Sequence, residues 1–131
     1  MIVVSIEQKY GGHAMHTAMA VASCYTTAQI NKFTIIVDDD IDPSNLSEVL
    51  WALGTRCDPA TSIDILRHCY STPLDPILPP EKRRARDYTH SKAIILACKP
   101  YHWIKEFPIP IGCSQELKQQ MKQKWPQLLA N

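Results

Sequence analysis

Short β-branched runs alternate with helical-period stretches along the first half of this chain. Ile2-Val3-Val4-Ser5-Ile6 has the character of a strand covered on both faces, as in a parallel sheet, and Gly11-Gly12 closes it. From His13 the pattern changes. Ala14, Met15, Ala18, Met19 and Ala22 recur at the spacing of one helix face, and their small size predicts a helix lying close against a sheet. Phe33–Val37 reads as a second strand and runs into the acidic stretch Asp38-Asp39-Asp40-Ile41-Asp42. Pro43 suits the first position of a following helix, with Asp42 or Ser44 as its cap. Leu46, Val49, Leu50 and Leu53 then fall at i, i+3, i+4 and i+7, and Gly54 stands where such a helix stops.

Beyond Gly54 the signals are shorter. Ile63–Leu66 and Ala93–Leu96 predict a third and a fourth strand, and the proline-rich stretches 71–90 and 99–113 predict loops. A last helix carries Leu117, Met121, Trp125 and Leu128 along one stripe, and Pro126 ends or bends it. This order predicts one α/β domain over residues 1–131, with a largely parallel or mixed sheet flanked by helices and the C-terminal helix packed on a partner. Ligands of such sheets bind beyond the carboxyl ends of the strands, where Gly11-Gly12-His13 and the acidic run both lie.

Composition narrows the class. With 45% hydrophobic and 21% charged residues in 131, the chain is globular, neither a disordered tail nor a disulfide miniprotein. A formal charge of +1 gives no global pull toward nucleic acid or anionic membranes, and no apolar run is long enough for a signal core or a membrane span. Cys24, Cys57, Cys69, Cys98 and Cys113 form no CxxC pair, which predicts reduced thiols in a cytoplasmic protein. Met1 leads straight into the first strand, as expected of a cut through a longer polypeptide or of a separately encoded small subunit.

Several groups invite a chemical reading. Asp38, Asp40 and Asp42 match the first ligands of a calcium loop, but Pro43 stands where the glycine belongs and Val49 where the closing glutamate belongs, so capping or loop hydrogen bonding is the expectation. Gly11-Gly12-His13 lacks both phosphate-loop patterns. His13 and His16 share a helix face without a third ligand at suitable spacing. Arg56 beside Cys57 favours a thiolate, yet no histidine is placed by sequence as its base. Lys82–Arg86 has no interleaved aromatics and reads as a solvated loop.

Longer strings go further. Ile36-Val37-Asp38-Asp39-Asp40-Ile41-Asp42-Pro43 and Glu48-Val49-Leu50-Trp51-Ala52-Leu53-Gly54-Thr55-Arg56-Cys57-Asp58-Pro59 closely resemble the UbiD family of decarboxylases. Tyr10-Gly11-Gly12-His13-Ala14, Pro73-Leu74-Asp75-Pro76 and Ser91-Lys92-Ala93-Ile94-Ile95 agree in the same order, so the resemblance covers nearly the whole chain. It is a resemblance to the C-terminal domain of those enzymes. Met15 departs from the basic residue that many relatives carry there, and Leu96 from their aspartate.

The resemblance implies reversible decarboxylation of aromatic or α,β-unsaturated acids with prenylated FMN, a divalent metal and potassium. In the family these groups and the catalytic Arg-Glu-Glu set belong to the preceding domain. It therefore implies no catalytic, cofactor-binding or metal-binding residue in this chain, and a cofactor-carrying domain or subunit as its partner. Leu74 looks like the leucine that reaches the substrate pocket in a family member acting on ferulic acid. The C-terminal domain is expected to close the active site and to support homo-oligomers through its last helix. The alternative is a stand-alone regulatory or assembly subunit that keeps the fold without catalysis.

Overall fold

A computed structural model describes residues 1–25, 29, 31–111 and 115–125. Strands β1 (Ile2–Ile6), β2 (Phe33–Asp38), β3 (Ile63–Tyr70) and β4 (Thr89–Ala97) form one sheet in the order β1-β2-β4-β3. The mixed α/β architecture expected from the sequence is present: β1, β2 and β4 are parallel, and β3 runs antiparallel to β4. β2 and β4 are central, and β2 is buried from Thr34 to Asp38 because helices cover both faces.

Alternation along the strands divides the core. Val4, Ile36, Ile94 and Leu96 point toward α1 (His13–Ser23), whose Ala14, Ala18 and Ala22 are buried against them. Val3, Ile35, Val37 and Ile95 face α2 (Leu46–Arg56) and meet its Val49, Ala52 and Leu53. Alanines at the α1 interface let the helix backbone approach the sheet closely. Gly12, at φ 87°, makes the turn into α1 in the left-handed region that favours glycine.

The structure corrects several local expectations. α2 begins at Leu46, and its cap is Asn45, whose side chain accepts the Ser47 N–H at 3.1 Å. Asp42 instead accepts the Ser44 N–H at 2.8 Å in the turn before the helix, while Glu48 accepts the Asp42 N–H at 2.9 Å. Gly54 does not stop α2, which continues to Arg56 because that side chain anchors the last turn in the interior. The buried stripe is also rotated. Val49, Ala52 and Arg56 face the sheet, whereas Leu46 and Leu50 are each 58% exposed.

β3 and β4 extend beyond Ile63–Leu66 and Ala93–Leu96, since their pairing continues past a bulge between Leu66 and Cys69 to join Tyr70 with Thr89. Between them lies the short helix α3 (Pro80–Arg84), with proline at its start. Tyr101–Trp103 forms a 3-10 turn, and α4 (Gln115–Lys124) ends the described chain. Leu117 and Met121 are exposed along α4 and Trp125 just after it; Leu128 and Pro126 lie outside the described residues.

Candidate functional site

Two ends of the sheet carry the polar chemistry. At the carboxyl ends of β1, β2 and β4, a cleft of about 560 Å³ is lined by Gly11, Gly12, Met15, Leu96, Tyr101 and Trp103, among others. Beneath it, Asp38 closes β2 with a buried carboxylate. One oxygen accepts from Gln8 Nε2 at 2.7 Å, and the other accepts from the Lys99 N–H at 2.7 Å and Arg56 Nη1 at 2.9 Å. Arg56 reaches on to Asp40 through both terminal nitrogens, at 2.7 and 2.8 Å, and Lys99 Nζ meets the same carboxylate at 2.7 Å. The Arg56 guanidinium, with help from Lys99, holds Asp40 far below the usual carboxylate range.

This network gives the acidic run its role. Asp38 and Asp40 neutralise a buried arginine and tie the ends of β1, β2, β4 and α2 together; Asp42 shapes a turn. Among the described residues, no three His, Cys, Asp or Glu side chains gather as a metal site. The histidine pair is engaged by one tyrosine. Tyr10 stacks on His13 with centroids 4.6 Å apart, and its hydroxyl lies 2.8 Å from His16 Nδ1. With Arg56 committed to carboxylates, burial and the Asp58 charge raise the Cys57 thiol instead of lowering it. Burial raises Cys98 too.

At the amino ends of β2 and β4 the buried group is Asp75. Its Oδ1 accepts from Lys32 Nζ at 2.6 Å and from the Ile77 N–H at 3.2 Å; its Oδ2 accepts from Ser71 Oγ at 3.1 Å and lies 3.3 Å from His90 Nδ1. Lys32 and these hydrogen bonds lower the Asp75 carboxyl. Burial lowers His90, against the opposing pull of Asp75 and with the nearby charges of Lys92 and Lys32 acting in the same direction. Of the basic run, Lys82 donates to Thr89 and Arg83 donates to the carbonyls of Leu78 and Asp75. Leu74, next to buried Asp75, is 85% exposed. It therefore sits at the opposite end of the sheet from the cleft.

Sequence reading missed Lys32, His90, Gln8 and Lys99 as partners, because each lies far along the chain from the carboxylate it serves. Arg56 left a readable signal: it stands seven residues after Val49, on the face that is buried. Met15 and Leu96, the two departures from the family pattern, come together in the cleft and pack on the same alanine-rich cluster. Both are apolar, so this part of the cleft wall carries no charge pair.

A family model described as the 3-octaprenyl-4-hydroxybenzoate carboxy-lyase C-terminal domain matches residues 1–97. The chain is similar to the phenolic acid decarboxylase of Sedimentibacter hydroxybenzoicus, at 35% identity over 99 residues, 76% of this chain and 19% of that protein. Among solved structures it is similar to vanillic acid decarboxylase of the same organism. The closed form aligns at 31% identity with a TM-score of 0.69 and the open form at 30% and 0.67, each over 98% of this chain and 26% of the other. The UbiD-class enzyme HmfF from Pelotomaculum thermopropionicum, in complex with FMN, aligns at 28% identity with a TM-score of 0.73 over 89% of this chain and 24% of its own. The chain thus spans about a fifth to a quarter of the length of these proteins.

Proposed function

The chain belongs to the UbiD family through its C-terminal carboxy-lyase domain, and from that premise we propose that it is the C-terminal domain or small subunit of an enzyme that reversibly decarboxylates aromatic or α,β-unsaturated acids. The family match over residues 1–97 carries this reading, since it includes the loop with Leu74. The flavin, prenylated FMN with its divalent metal and potassium, belongs to a larger partner domain and supplies the electron sink. Asp38, Asp40 and Asp75 are committed to arginine and lysine, so these carboxylates are not free to take the divalent metal. The chain's own contribution is apolar: Leu74 walls the substrate and excludes water, which strengthens the electrostatics around the reacting carboxylate. That vanillic acid decarboxylase has an open and a closed form supports a closing role for this domain.

Decarboxylation of a panel of phenolic and unsaturated acids tests the reading, using the intact protein that carries this chain together with its cofactor-carrying partner. Removing residues 1–131 is expected to abolish turnover, and unchanged turnover refutes the proposal. Leu74→Ala is expected to lower kcat/KM about ten- to a hundredfold, the scale of a lost apolar pocket contact.

Assembly is the second part of the proposal. Leu117 and Met121 on α4 and Trp125 just after it, 44–47% exposed, suit a helix packed between copies of the chain. Met121→Asp is expected to shift the sedimenting species to a smaller one, because burying an unpaired carboxylate in such an interface is costly. An unchanged sedimentation coefficient removes α4 from the interface.

A further inference from the structure

We propose that Asp75 is a positioning residue, whose grip by Lys32, Ser71 and the Ile77 amide holds Leu74 out from the sheet as the substrate wall. This rests on the reading of Leu74 given above. Leu74 and Ile77 are 85% and 70% exposed, yet Asp75 between them is 5% exposed. An apolar side chain in place of a buried carboxylate commonly serves stability as well or better. What the carboxylate adds is direction. Its bonds come from before β2 (Lys32), after β3 (Ser71) and the loop itself (Ile77), and His90 of β4 lies against it.

The backbone is tied as firmly as the side chain. The Asp75 N–H donates to the Thr72 carbonyl at 3.0 Å, and the Asp75 carbonyl accepts from the Leu78 N–H at 3.2 Å and from Arg83 Nη2 at 2.7 Å. Pro73 and Pro76 restrict the chain on either side of Leu74-Asp75. Leu78 is buried and pins the loop's far end. Leu74 is thus referenced to the two central strands and cannot retreat without breaking the Asp75 cluster.

A double-mutant cycle in the intact enzyme tests this, with Leu74→Ala, Asp75→Asn and the pair together. Asp75→Asn is expected to lower kcat/KM about ten- to a hundredfold, the scale on which a 1 Å displacement acts, and to add nothing in the Leu74→Ala background. Lys32→Met should reproduce the loss and Lys32→Arg should restore activity, which a merely unfolded variant cannot do. Hydrogen exchange at residues 72–78 should quicken in Asp75→Asn and in Lys32→Met. Losses that multiply in the double variant, or unchanged exchange, overturn the positioning role while leaving Leu74 as the wall. A Leu74→Ala enzyme with wild-type kcat/KM overturns the wall itself, and this proposal with it.

Discussion

Replacing Arg56 by methionine is expected to destabilise the fold by about 3–5 kcal/mol, measured by urea unfolding of the chain. The Arg56 side chain is fully covered and the Asp38 carboxylate is 4% exposed, so the loss leaves a buried negative charge without its cation. The Lys99 amide and Gln8 remain as partners, but neither carries a full positive charge to that carboxylate. Arg56→Met with Asp38→Asn should therefore lose less than Arg56→Met alone. A larger loss in the double variant contradicts the charge-pair account. Acid should show the same linkage. Asp40 is depressed in the fold chiefly by Arg56, so its contribution is present above the ordinary carboxylate value of about 3.9 and disappears as pH falls through its folded value. Without Arg56 that acid-dependent portion of stability should shrink.

Ile36→Ala is expected to cost about 2–5 kcal/mol, toward the upper part of that range. Ile36 is fully buried at the centre of β2, and α1 faces it with Ala14, Ala18 and Ala22. Alanines have no side chain to swing into the vacated space, and the helix cannot approach a sheet it already touches. The cavity should therefore persist. Leu50→Ala gives the contrast. Leu50 belongs to the apolar stripe legible in the sequence, yet it is 58% exposed, so its loss should stay within about 0.5 kcal/mol. Urea midpoints for the two variants check both; equal losses refute the observed phase of α2.

That contrast marks how far local pattern reaches. Periodicity located α2 because apolar residues at helical spacing favour a helix wherever it lies. That periodicity gave one stripe, Leu46, Val49, Leu50 and Leu53, whereas the buried face runs through Val49, Ala52 and Arg56. Docking set this rotation, with Arg56 paired to the aspartates at the end of β2. Gly54 failed as a stop for the same reason: tertiary anchoring of Arg56 outweighed the cost of a glycine in a helix.

The sequence alone determined the family, the α/β class and the strands of the parallel core, because β-branched runs and ordered strings are local properties of the chain. It also marked Leu74 and the two departures, Met15 and Leu96. Tertiary structure decided what these residues share. Met15 and Leu96 are distant in sequence yet line one cleft, and Lys32, Ser71 and His90 surround Asp75 only once β2, β3 and β4 lie side by side. Charge pairing and burial act through space with no fixed separation along the chain, so no spacing in the sequence records them.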